Sequence, residues 1–141
     1  LTLAYSELLS PPRSAALSDR LEWLHDRMSR ALEDLRPSVV AIEQPFVARN
    51  VKAALAVGQA QAVAMIAAAR LKIPVASYSP SEVKKAVTDY GGSSKEQVQQ
   101  AVAMSLDLDA KAVPEDAADA LAVALCHVQN RRAAGLIAGE V

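Results

Sequence analysis

The spacing of apolar positions changes several times along the chain, and each change marks an element. Leu17, Leu21, Leu24, Met28, Ala31, Leu32 and Leu35 recur at steps of three and four, so residues 16–35 are read as an amphipathic helix that Pro37 stops. Val39, Val40, Ala41 and Ile42 are continuous and close on Glu43, the pattern of a short strand covered on both faces. A long helix follows, opened by Asn50 and closed at Leu71, with Ala or Gly on nearly every side. Residues 74–78 read as the next strand. Ser79-Pro80-Ser81-Glu82 is a capping box with proline at the first helical position, so a helix starts there.

Gly91-Gly92 breaks that helix, and Ser93-Ser94-Lys95-Glu96-Gln97 is a second capping sequence, opening a helix toward Leu106. Residues 107–113 form a linker. Pro114 starts the last helix, which runs through Ala122, Val123, Leu125 and Val128 into the polar stretch 129–132. At the other end, residues 2–9 read as a strand that Ser10-Pro11-Pro12-Arg13 terminates. The order β-α-β-α-β-α-α-α predicts an α/β layer fold with at least partly parallel strands. Three strands make a thin sheet, so strands from a partner or from further upstream are expected to complete it.

Composition narrows this picture modestly. With 141 residues, 52% of them hydrophobic, the chain is expected to form one domain over residues 1–141. A net charge of -1 provides no global attraction to nucleic acid, so any such contact requires a local basic patch. The single Cys126 lies in an apolar helical run and reads as core packing in a reducing compartment. No secretory signal pattern is seen, and a cytoplasmic location is the expectation. The helix closed at Leu71 is long enough to span a membrane, but Lys52, Gln59, Gln61 and its alanines point to a buried helix and no membrane partner.

Three carboxylates carry the candidate chemistry. Glu43 ends a buried-type strand, and Asp116 and Asp119 lie three residues apart at the start of an Ala-rich helix, so both face one side. Acids among Ala, Val and Leu are costly unless a cation or hydrogen bonds compensate them, which makes the three a candidate divalent-metal site. For the aspartates alone, stabilisation of a helix N-terminus is the competing explanation. Lys95 opposes the dipole of the helix it opens, and a phosphate held at that terminus would explain its position. Lys84 and Lys85 lie on the preceding helix. His127 reads as a polar residue near a helix end and not as a catalytic base.

Taken in order, Ala41-Ile42-Glu43-Gln44-Pro45-Phe46, the helix from Asn50 with its Gly58-Gln59-Ala60 step, Val83-Lys84, residues 91–98 and Asp116-Ala117-Ala118-Asp119-Ala120-Leu121-Ala122 resemble the RuvC family of bacterial Holliday-junction resolvases. The resemblance covers nearly the whole chain. It implies a ribonuclease-H-like α/β fold, a central mixed sheet with helices on both faces, and a homodimer, here through the Asn50 to Leu71 helix. It further implies a crossover junction endodeoxyribonuclease that cuts four-way DNA symmetrically in recombination and repair. Two Mg2+ ions per site, replaceable by Mn2+, and a junction-binding and branch-migration complex (RuvA and RuvB in the family) complete what it implies. Glu43, Asp116 and Asp119 match the family's metal-binding catalytic acids. Phe46, Arg49, Lys84 and Lys95 match DNA-contacting positions, Phe46 as an aromatic wedge.

One element of the family pattern is missing. No Gly-Ile-Asp-Pro-Gly-type turn, bearing the first metal-binding aspartate on the first strand, occurs in this sequence. The expectation is therefore a chain incomplete at its N-terminus, with its N-terminal strands absent and three of four ligands supplied. The alternatives are a catalytically inactive junction-binding module and another ribonuclease-H-like hydrolase acting on RNA or RNA–DNA hybrids.

Overall fold

A computed structural model of the protein describes residues 1–45 and 50–135. The elements run α1 (Leu17–Leu35), β1 (Val40–Glu43), α2 (Val51–Arg70), β2 (Val75–Tyr78), α3 (Pro80–Thr88), α4 (Lys95–Leu106) and α5 (Glu115–Ala133). The chain divides into two compact units. One contains residues 1–8, 41–44 and 77 onward, and the other residues 9–40 and 45–76.

In the first unit the core gathers α3, α4 and α5. Val83, Val98, Val102, Leu106, Ala122, Val123, Leu125 and Cys126 form its buried cluster, with Ala41, Tyr78, Val87 and Leu121 packed against it. Cys126 is a fully buried free thiol, as its apolar surroundings predicted. Burial raises its pKa further, and its Sγ lies 3.7 Å from the Glu82 carbonyl, so it packs and does not react.

Local chemistry explains where these helices begin. Ser79 accepts from the Glu82 backbone N–H while the Glu82 carboxylate accepts from the Ser79 N–H at 2.6 Å. Ser94 and Gln97 repeat the same reciprocal pair at the start of α4. The left-handed residues Asp89 and Asp107 end the two helices. Each box satisfies two N–H groups that would otherwise lack a partner, which is why both starts were predictable.

In the second unit α1 packs on α2, whose N-cap Asn50 accepts from the Ala53 N–H at 3.0 Å. Arg36, in the left-handed region, closes α1 through its N–H to the Leu32 carbonyl. The expectation of a buried α2 is corrected here: only Val63, Ala67 and Ala68 are buried, because α2 has a packing partner on one side of its unit. Val51, Leu55, Met65 and Ile66 stay exposed. Among the described residues α2 is also the one helix long and apolar enough to cross a membrane.

β1 and β2 pair in parallel. Val40 N–H donates to the Pro74 carbonyl at 2.9 Å and Gln44 N–H to the Tyr78 carbonyl at 2.7 Å, the same offset at both ends. Two further expectations change. Residues 2–9 take up no strand, since a strand exists only where its backbone groups find a ladder, and among the described residues the sheet has two strands. Nor is β1 covered throughout, for only Ile42 is buried.

Candidate active site

The first unit holds a shallow cleft of about 160 Å³ at the carboxyl end of β1, lined by Glu43, Pro80, Val83, Lys84, Lys95, Val98, Asp119 and Ala122. Each polar lining residue comes from a different element. Glu43 is the last residue of β1, Lys84 lies in α3, Lys95 is the first residue of α4, and Asp119 sits in the second turn of α5. Ligand sites in α/β folds collect beyond the carboxyl ends of strands, where loops and helix ends converge.

The charges in the cleft compensate each other incompletely. Burial, followed by the negative charge of Asp119, pushes the Glu43 carboxyl above its ordinary 4.5, and Lys84 and Lys95 only partly reverse this. The Lys95 ammonium is ion-paired with the Glu115 carboxylate and lies 3.4 Å from Asp119 Oδ2. Glu115 is the main cause of the raised Lys95 pKa. These acids of α5 offset the charge of a lysine that opposes the dipole of its own helix.

Asp116 lies one turn before Asp119, exposed in the first turn of α5, and does not line the cleft. No group of three or more acidic, histidine or cysteine side chains is preassembled for a metal among the described residues. The donor chemistry nevertheless suits a hard cation. Burial and the neighbouring Asp119 charge leave the Glu43 carboxylate short of positive charge, and a lysine ammonium already sits against Asp119 where a positive charge is favoured. Phe46 and Arg49 lie outside the described residues.

Sequence reasoning missed three residues in or next to the elements that carry this site. Glu115 holds Lys95. Tyr78, at the end of β2, is hydrogen-bonded to His127 of α5. Tyr90 projects from the turn before α4. Only Glu115 had a local signal, its position beside Asp116; the other two depend on how distant segments or turns are arranged.

The site thus sets an acid at the end of a parallel strand in one cleft with a helix-borne acid and two lysines. A family model for the crossover junction endodeoxyribonuclease RuvC matches residues 6–127. RuvC of Dehalococcoides mccartyi is 44% identical over 137 residues, covering 97% of this chain and 82% of the relative. RuvC of Syntrophotalea carbinolica is 50% identical over 113 residues, 80% of this chain and 70% of the relative. The Thermus thermophilus RuvC structure superposes with a TM-score of 0.86 at 32% identity, covering 94% of this chain and 80% of that one. The same enzyme in complex with a Holliday junction substrate superposes with a TM-score of 0.87. The chain belongs to the RuvC family, an endodeoxyribonuclease family of ribonuclease-H-like fold.

Proposed function

We propose that this protein resolves four-way DNA junctions by metal-dependent phosphodiester hydrolysis, with Glu43, Asp116 and Asp119 as the carboxylates that hold the metal and Lys84 and Lys95 as contacts to the DNA backbone. The observation that carries this reading is the meeting of Glu43, Asp119, Lys84 and Lys95 in one cleft, in a chain that superposes on a RuvC bound to a Holliday junction.

Hydrolysis requires water to attack phosphorus while a P–O bond to the sugar breaks. Bound Mg2+, two ions per site and replaceable by Mn2+, would supply the Lewis acid and lower the pKa of the attacking water. The chain's own contribution is positional. Glu43 and Asp119 present oxygen donors from a strand end and a helix whose backbones are fixed by the core, and Asp116 projects from the same helix one turn earlier. Lys84 and Lys95 draw the phosphate toward them and carry no base information. Phe46, three residues after Glu43 in the sequence, is the candidate wedge at the unstacked crossover.

A symmetric substrate calls for two sites related by a two-fold axis. The exposed apolar side chains of α2 support a homodimer built on that helix. Family membership alone extends the partners to the junction-binding and branch-migration complex.

The test is cleavage of a synthetic junction with Mg2+ by the protein in its natural length. Asp119→Asn is expected to bind the junction and not cut it, and undiminished cutting would remove the carboxylates from the mechanism. Junction binding without cutting by the parent would favour an inactive binding module, and preferential cutting of RNA–DNA hybrid would favour the third alternative.

A further inference from the structure

Tyr90 occupies the turn between α3 and α4, six residues after Lys84 and five before Lys95, and leaves 67% of its surface in solvent. The backbone beneath it is held firmly. Ser93 is only 5% exposed, and its N–H and hydroxyl both donate to the Tyr90 carbonyl, at 3.2 and 2.8 Å. Thr88 Oγ1 accepts from the Tyr90 N–H and lies 2.5 Å from Ser93 Oγ, 2.7 Å from the Lys84 carbonyl and 3.0 Å from the Tyr90 carbonyl.

The ring is seated as well. A Cβ on Gly92 would fall 2.7 Å from the ring's Cζ and Oη and 2.9 Å from Cε1, so the phenol lies against a glycine whose missing side chain makes room for it. A large aromatic ring with one side on its own backbone and the rest open to solvent, in the segment joining the two helices that carry the cleft lysines, has the form of a stacking platform.

We infer that Tyr90 stacks on a base or sugar of the DNA arm that the Lys84 and Lys95 contacts bring to this turn, adding a non-electrostatic contact to the phosphate ones. This rests on the junction-resolving reading of the cleft. Continuity with the cleft selects DNA as the occupant, since the turn that carries Tyr90 runs directly into Ser94 and Lys95 at the head of α4. The hydroxyl has no part in the contact, because stacking uses the ring face.

The experiment is equilibrium binding of a fluorescently labelled four-way junction, followed by anisotropy without divalent cation so that nothing is cut. Tyr90→Ala should weaken binding roughly tenfold or more. Tyr90→Phe should bind as the parent does. Gly92→Ala, which keeps the ring but pushes it from its seat, should weaken binding in the same direction. Tyr90→Ala should leave the slope of log affinity against log salt unchanged, whereas Lys95→Ala should reduce it by about one. Thermal unfolding of each variant close to that of the parent excludes a folding defect. Parent-like affinity in a folded Tyr90→Ala variant overturns the inference while leaving junction binding intact. A parent that shows no preference for the junction over linear duplex overturns the functional reading beneath it, and the inference with it.

Discussion

Tyr78 Oη and His127 Nδ1 lie 2.6 Å apart across 49 residues of sequence, their rings meeting edge to face at 61°. The bond fastens the end of β2 to α5 two turns beyond Asp119, and the Tyr78 carbonyl accepts from Gln44, the residue after Glu43. One tyrosine thus links the strand end bearing one acid to the helix bearing the other. Burial raises the Tyr78 pKa, so the phenol stays neutral and able to donate. Tyr78→Phe keeps the ring and deletes the bond. It should cost about 1–2 kcal/mol, seen as a melting point lower by a few degrees. Cleavage should slow while junction affinity holds, because Tyr78 acts by positioning α5. Unchanged cleavage by a destabilised variant would reduce the bond to a structural role.

His127 also makes stability sensitive to acid. Burial, then the Arg131 charge, lowers its pKa below 6.5. A depressed pKa means that the unfolded chain binds the proton more readily, so this contribution is present above 6.5 and is lost as pH falls through the lower folded value. In melts taken between pH 7.5 and 5, His127→Gln should be less acid-sensitive than the parent. Parallel pH profiles would assign the acid limb to other groups.

Glu43 has the opposite sign. Its folded pKa is raised, so its contribution is most favourable below the ordinary 4.5 and is lost as pH rises through the folded value. Glu43→Gln should therefore melt at or above the parent temperature at pH 7 without metal, the difference vanishing below about pH 4. Adding Mg2+ should raise the parent's melting point more than the variant's, and the variant should not cut DNA. A Glu43→Gln protein that melts well below the parent at pH 7 would refute burial and repulsion as the dominant influences on this carboxylate.

Lys95 is held by Glu115 at an exposed site, where an ion pair contributes about 0–1 kcal/mol. Glu115→Gln should leave the melting point almost unchanged. Because Glu115 is the first cause of the raised Lys95 pKa, its removal should free more neutral amine at alkaline pH. Faster acylation of Lys95 by an amine-reactive reagent near pH 9, read by peptide mass mapping, is the expected outcome. An equal rate in both proteins would show that Asp119 alone suffices.

The proposed dimer has a direct test on α2. Ile66 is 54% exposed, so Ile66→Asp should cost the monomer little while placing a charge in an apolar interface. Light scattering at micromolar concentration should find the parent as a dimer and the variant shifted toward monomer. A monomeric parent would remove α2 as the subunit contact.

The elements legible in the sequence were those decided by near neighbours. Ser79 with Glu82 and Ser94 with Gln97 cap their helices across three residues, so the starts of α3 and α4 needed no knowledge of the rest of the chain. Glu43 at a strand end and the three-residue spacing of Asp116 and Asp119 were likewise readable, and the ordered motifs pointed to the family. Tertiary structure decided what depends on distant partners. Residues 2–9 have strand-like composition but no ladder to join, and α2 has the composition of a buried helix yet packs on one side of its unit. The bond from Tyr78 to His127 and the approach of Lys95 to Asp119 arise only when α5 is laid beside β2 and α4, because periodicity sets which way a side chain points along its own element and never which other element will stand opposite it.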